Sequence, residues 1–442
     1  MLNPVISYLR KLGFLSSFYL DDFLLLGISY EESLKNVSTT VAFLEKLGFI
    51  INYKKSNLTP SQNCKYLGFI YDSTKMTLKL PEDKIKRVKQ LVNLKLDQKI
   101  KIRKFAKILG VVVSCCPAVE YSWLYTKASE RVKFLALEAN SGSYEKSMKI
   151  SRHVLEELQW WKQLNNASIC HIRNSNYELE IFSDASLTGW VVSCNGYRAN
   201  GHWKEKEKSN FINHLELLAA YFGLKIFAKD NRESAILLHI DNTTAISYIH
   251  RMGGIQYPKL NSLAKKIWQW CEKRKIWICA TYIASRENRE DDTESRRLQS
   301  NTEIEISNVI FEKIVALFGK PKIDLFASRS NAKCKRYVSW KRDPESIAID
   351  AFTISWSDHY LYAFPPCSII LRTLQKIKTD AARGIMIVPE WPGQPWYPIF
   401  CSMLVSETFE TPAKEGLVFS GPSMDLFWNK TTLVAGILSG KV

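Results

Sequence analysis

The sequence has no apolar run long enough to span a bilayer and no signal peptide that we can identify. Its ten cysteines are scattered, with one adjacent pair at Cys115-Cys116. No CxxC pair and no Cys/His cluster has zinc-ligand spacing, so neither a zinc site nor a disulfide framework organises the fold. We read the thiols as reduced and the protein as intracellular, cytoplasmic or nuclear. Acids are the minority charge: 44 Asp and Glu stand against 61 Lys and Arg, a formal net charge of +17. Such an excess suits a polyanion, most simply nucleic acid, and the 12% of aromatic residues among the lysines fit that partner. An anionic membrane surface competes for the same charge, and the missing apolar run argues against it. What is present is a globular composition, 46% hydrophobic and 24% charged, over 442 residues, which leaves room for two to four cores.

The chain is organised around Ser17-Phe18-Tyr19-Leu20-Asp21-Asp22-Phe23-Leu24-Leu25-Leu26-Gly27. Apolar residues flank a pair of adjacent carboxylates, which predicts two buried strands with Asp21 and Asp22 at a tight turn. Adjacent acids repel, so they suit a site that holds a divalent cation. Tyr30 to Leu47 has helical spacing and ends at Gly48. Then follow Phe49-Ile50-Ile51-Asn52-Tyr53-Lys54-Lys55-Ser56 and Lys65-Tyr66-Leu67-Gly68-Phe69-Ile70. In this order the blocks resemble the tyrosine-X-Asp-Asp hairpin, the Asn-x-x-Lys-Ser block and the Leu-Gly-Phe primer grip of reverse transcriptases. The resemblance places Tyr19, Asp21 and Asp22 in a polymerase hairpin and Lys55 near an incoming triphosphate. That family carries a further metal-binding aspartate well upstream, and only 18 residues precede Tyr19. A two-metal site needs carboxylates from both segments, so the chain as given is expected not to polymerise DNA.

Residues 81–170 read as helical and basic, with Lys84-Ile85-Lys86-Arg87-Val88-Lys89 and Lys99-Ile100-Lys101-Ile102-Arg103-Lys104 placed to track phosphates. Trp160-Trp161 reads as core packing. Beyond them, Leu179-Glu180-Ile181-Phe182 leads as a strand into Ser183-Asp184, Thr188 to Ser193 reads as a second strand, and Asn195-Gly196 as a type I′ hairpin turn before a third. His214 to Ala228 reads as a helix in which Glu216, Ala219, Ala220 and Gly223 share a face, open to close approach by a backbone or a substrate. Ala235 to Ile240 is a strand ending in Asp241-Asn242; a helix from Pro258 to Lys273 and a strand from Ile276 to Ile283 lead to Asn288-Arg289-Glu290-Asp291-Asp292-Thr293-Glu294-Ser295-Arg296. This order of elements and acids resembles ribonuclease H. The resemblance implies that Asp184, Glu216, Asp241 and Asp292 are catalytic metal ligands, with Asp291 a rival for the last place. It further implies two Mg²⁺ ions about 3.5–4 Å apart and RNA–DNA hybrid as substrate. His202 and His214 are expected to be structural.

After a polar break at Arg296 to Thr302, Thr302 to Phe318 reads as an amphipathic helix. Lys322-Ile323-Asp324-Leu325-Phe326-Ala327-Ser328, Tyr362-Ala363-Phe364-Pro365-Pro366-Cys367 and the strand Ile385 to Pro389 follow. Their spacing is similar to phage-type DNA adenine methyltransferases. Phe364 stands where the family's Asn/Asp-Pro-Pro-Tyr loop has a polar residue, and phenylalanine cannot accept an adenine amino group's hydrogen bond. Methyl transfer, and with it S-adenosylmethionine, is therefore not expected of the Phe364-Pro365-Pro366 loop.

The whole order resembles the polyprotein of DIRS-type retrotransposons, N-terminally truncated. It implies an α/β and α+β multidomain chain: a partial polymerase palm at 1–80, a helical thumb or connection at 81–170, a ribonuclease H-like mixed sheet with helices at 171–300, and a C-terminal α/β methyltransferase-like domain at 301–442. The activity expected is Mg²⁺-dependent endonucleolytic cleavage of RNA in hybrids. The alternative is a decayed or domesticated nucleic-acid-binding protein. Neither reading fixes an oligomeric state.

Overall fold

The computed structural model describes residues 3–283, 304–420 and 428–441. It is a mixed α/β protein of two compact units, residues 1–175 with 252–258, and residues 176–251 with 259–442.

In the first unit, strands Leu15–Tyr19 and Asp22–Leu26 pair antiparallel, with Tyr19 opposite Asp22. The turn between them holds Leu20 at φ 53°, a left-handed conformation that a leucine adopts only under constraint. The strands were expected to be buried, and they are not. They form a sheet of two, Ser16 is their one buried residue, and Tyr19 and Leu20 are 60% and 71% exposed. The apolar run gave the strands correctly, but two strands have too little partner surface to bury both faces. What anchors them is polar. The Asn36 amide, buried in the helix Tyr30–Lys46, donates 2.9 Å bonds to the carbonyls of both Leu15 and Leu26, closing the open end of the hairpin. That helix starts at Ser29, whose hydroxyl accepts from the Glu32 amide, and ends before Gly48 at φ 84°.

Strands Asn63–Tyr66, Phe69–Asp72 and Thr77–Lys79 form an antiparallel sheet that Ile169–His171 completes. The segments on either side of residue 80 thus share one sheet. The helices Glu82–Leu91, Ile102–Val113, Lys127–Glu138 and Arg152–Lys162 pack between, with Val88, Phe105, Val154 and Trp161 buried. Buried Glu157 accepts bonds from the Ala128 and Ser129 amides and the Ser129 hydroxyl, capping the third of these helices. Trp161 donates to the Tyr125 carbonyl and Trp160 stacks on the Tyr125 ring at 4.3 Å, so this pair packs inward.

The second unit holds two sheets. In the first, the strands lie in the order Tyr197–His202, Gly189–Cys194, Leu179–Ala185, Ala235–Ile240, Trp277–Tyr282; the first three are antiparallel and the last two parallel to their neighbours. Asn195 and Gly196 take φ 50° and 76°, the type I′ turn that the sequence specifies. Helix Ile212–Phe227 covers one face, and an added Cβ on Gly223 would lie 2.7 Å from Ile181 Cγ2. The small-residue stripe therefore serves helix–sheet contact, so of the two expected occupants at Gly223, a backbone or a substrate, it is the sheet that fills the space. The second sheet has six strands, in the order Arg336–Tyr337, Ile323–Asp324, Tyr360–Ala363, Arg383–Pro389, Leu433–Ser439, Phe409–Thr411, the first four parallel. The helix expected over 302–318 begins only at Asn308. Ile304–Ile306 is instead a strand paired with Val418–Ser420, as its apolar-acid-apolar alternation permits.

Among the described residues no helix is long and apolar enough to cross a membrane. All ten cysteines are free.

Candidate metal centre

Three chain segments deliver a carboxylate to one place. Asp184 lies near the end of the central strand Leu179–Ala185, Asp241 directly follows the neighbouring parallel strand Ala235–Ile240, and Glu216 projects from helix Ile212–Phe227. Parallel pairing of Ile240 with Ser183 brings the two aspartates side by side at the carboxyl ends of their strands. One carboxylate oxygen from each of Asp184, Glu216 and Asp241 lies within 4.8 Å of the other two, the one such grouping of metal-ligating side chains among the described residues.

Glu216 is 3% exposed, and its Oε2 is buried without a hydrogen-bond partner. Burial pushes this carboxyl up to about 9, and the neighbouring charges of Asp241 and Asp184 add to the shift. An amide bond from Ala185 opposes the shift only in part. An orphaned carboxylate oxygen facing two further acids is a poor arrangement for the protein alone, and a good one for a hard divalent cation. Mg²⁺ fits this donor set, because all three residues offer oxygen and none offers sulfur or imidazole.

Two supporting contacts were not foreseen from sequence. Asn242 caps helix Thr243–His250 by accepting the Ala245 amide at 2.9 Å, and its Nδ2 donates to Asn213 Oδ1 at 2.8 Å. It thereby ties the Asp241 strand end to the helix of Glu216. The Asp-Asn-Thr-Thr run was a readable cap signal, but the Asn213 contact had none. Trp203 Nε1 donates to the Ser186 carbonyl at 2.7 Å and pins the turn after Asp184.

None of the other expected site residues among the described ones belongs to this cluster. Asp21 sits in the exposed hairpin turn and Asp22, expected there too, opens the strand after it opposite Tyr19; Tyr66 Oη donates to the Asp22 carbonyl at 3.4 Å and links the hairpin to the Leu67-Gly68 turn. Tyr19 points to solvent, and Lys55 sits in an exposed turn whose amide bonds back to Asn52. Phe364 is buried in a cluster with Ile385, Ile387 and Trp428. His202 and His214 are outside the acid cluster. Asp291 and Asp292 lie outside the described residues.

No protein-family model matches the chain, and no curated protein matches it either. Among solved structures it aligns with the foamy viral protease–reverse transcriptase. The complex with double-stranded DNA is 17% identical over 63% of this chain and 48% of that one, with a TM-score of 0.31. A second double-stranded DNA complex gives 15% identity, 64% and 57% coverage and 0.32. The RNA/DNA hybrid complex gives 15% identity, 63% and 37% coverage and 0.31. The chain thus spans about half the length of the first two chains and about a third of the last.

Proposed function

We propose that this protein is a ribonuclease H-type endonuclease that cuts the RNA strand of RNA–DNA hybrids with Mg²⁺. The observation that carries the reading is the convergence of Asp184, Glu216 and Asp241 at the strand ends of a five-stranded mixed sheet, with a buried Glu216 oxygen left without a partner. Asp184 and Asp241 offer ligand oxygens at the ends of two strands, and Glu216 supplies a third from its helix. Without a cation, Glu216 keeps its proton near neutral pH, which limits repulsion within the trio. It gives up that proton as it becomes a ligand, so cation affinity rises with pH. Bound Mg²⁺ supplies a Lewis acid for the phosphodiester and acidifies an attacking water. We assign the fourth ligand to Asp292 or Asp291 on the sequence motif. Selection of hybrid would come from contacts to 2′-hydroxyls, and the net charge of +17 supplies affinity that falls steeply with salt.

In the same reading the chain derives from a DIRS-type retrotransposon, with residues 171–300 as the cutting domain, residues 1–80 and 81–170 as palm and thumb remnants, and 301–442 as a methyltransferase-like domain. Buried Phe364 leaves its loop without the side-chain acceptor for an adenine amino group, so we assign that domain no methyl transfer. The rival reading, a decayed nucleic-acid-binding protein, draws support from the exposed and unclustered Asp21-Asp22 hairpin. One assay separates the two. A labelled hybrid incubated with protein and Mg²⁺ is cut by the native chain and not by Asp184→Asn. Absence of cutting, or cutting indifferent to the substitution, leaves only the binding protein.

A further inference from the structure

We propose that Arg329, on the six-stranded module, is a positioning residue for the carboxylate cluster of the five-stranded module. This inference rests on the metal-dependent reading above and extends it to a domain with no assigned role. The Arg329 side chain is only 6% exposed, and its guanidinium forks onto both oxygens of Glu207, in the short helix Glu205–Lys208, and reaches Glu345. Its backbone amide donates to Asp343 at 2.8 Å, and Asp343 accepts a further bond from Tyr337 Oη, so the arginine is fixed at its root. Glu345 also meets Lys204 at 2.9 Å and Lys225 at 3.9 Å, both from the five-stranded module. A buried, bidentate arginine among satisfied acids is a rigid joint rather than a solvated surface pair.

The joint bears on the metal site through contiguous packing. The Arg329 guanidinium lies 4.4 Å from the centre of the Phe222 ring, and Phe222 is on the helix that carries Glu216. Phe222 in turn packs against Trp190 at 5.2 Å and Trp203 at 6.0 Å. Trp203 holds the Ser186 carbonyl, two residues beyond Asp184. Arg329 therefore braces the supports of two of the three acids, the Glu216 helix and the turn after Asp184. Groups that hydrogen-bond a metal ligand directly commonly change metal affinity by about 10–100-fold when removed, and Arg329, which acts through Phe222 and Trp203, is expected at the low end of that range.

The test measures Mn²⁺ binding to the full chain by titration calorimetry, with thermal melts alongside. Arg329→Met is expected to weaken Mn²⁺ affinity by about 10-fold while the protein still melts cooperatively. Arg329→Lys keeps the charge but loses the fork; it folds under the mildest perturbation and is expected to weaken binding by a few-fold. Should the methionine variant not fold, the lysine variant decides. Native affinity in a folded variant overturns the positioning role and leaves the parent reading standing. A native chain whose Mn²⁺ binding is absent, or unaffected by Asp184→Asn, overturns the metal site itself and this inference with it.

Discussion

The Asp21-Asp22 hairpin and the Asp184–Glu216–Asp241 cluster both set carboxylates at the ends of β-strands, yet their surroundings differ in every respect that matters for holding a cation. The hairpin is two strands wide, open to solvent, and contributes acids from one segment only. The cluster draws on three segments, is backed by a helix packed hard against the sheet, and buries one carboxylate with one of its oxygens unpartnered. Exposed acids relax their repulsion into water. A buried one cannot, and Glu216 instead keeps a proton that a cation would displace. Neighbouring carboxylates become a metal site only when the fold forbids them any cheaper partner.

The contrast breaks most visibly at Asp241. Asp241→Asn keeps the shape of the site but removes one charge, and should lower Mg²⁺-dependent cleavage of a hybrid by about 10²–10⁴-fold, the range for loss of an essential reacting group. Retention of most of the native rate would mean that the cluster is not where cutting occurs.

The next largest effect is on stability and depends on pH. The Glu216 carboxyl is raised from its ordinary 4.5 to about 9 in the fold. Its contribution to metal-free stability is therefore fully present below about 4.5 and lost as pH climbs through about 9. Glu216→Gln imitates the protonated acid, so the variant should be the more stable at pH 9, by on the order of a few kcal/mol, and indistinguishable at pH 4. Urea melts in chelator at the two pH values check this. Equal stability at pH 9 would place Glu216 in a far wetter setting than its burial indicates. Added Mg²⁺ should favour the native chain alone and narrow the gap.

How much of this was legible beforehand varied with the range of the interaction. The strands of the acidic sheet announced themselves through alternation and the Asn195-Gly196 turn, because both are local signals. Convergence of Asp184, Glu216 and Asp241 followed once helix and strands were in order. The role of Gly223 did not: spacing reveals a stripe of small residues, but only packing tells whether a sheet or a ligand fills it. Ile304–Ile306 reads locally as the start of a helix, because the partner that makes it a strand, Val418–Ser420, lies far along the chain. Arg329 had no signal at all, because its partners Glu207 and Glu345 are joined to it only by the tertiary fold.

A smaller effect separates the two regions by what holds them. The hairpin is tied down by a few side-chain bonds, from Arg10 to the Ser16 carbonyl, from Tyr66 to that of Asp22 and, twice, from buried Asn36 to those of Leu15 and Leu26. Asn36→Leu is close in size but strands both carbonyls, so it should cost about 1–3 kcal/mol. Hydrogen exchange should show the loss at the hairpin and not at the acidic sheet. Uniform destabilisation of the chain would mean that the hairpin is more deeply integrated than its exposure implies.

Least of all should follow from the hairpin's own acid. The Asp22 side chain is at the exposed start of its strand, and its backbone, not its carboxylate, receives the bond from Tyr66. Asp22→Asn preserves that carbonyl, keeps the side chain's volume and relieves the repulsion from Asp21. Stability should move by less than about 0.5 kcal/mol, the usual scale for a surface change away from any cap or core. Calorimetric Mn²⁺ binding to the three-acid cluster should be unaltered, since the hairpin acids do not belong to it. A drop in Mn²⁺ stoichiometry on Asp22→Asn would show instead that the hairpin holds a cation of its own, and that solvent exposure alone does not disqualify a pair of neighbouring aspartates.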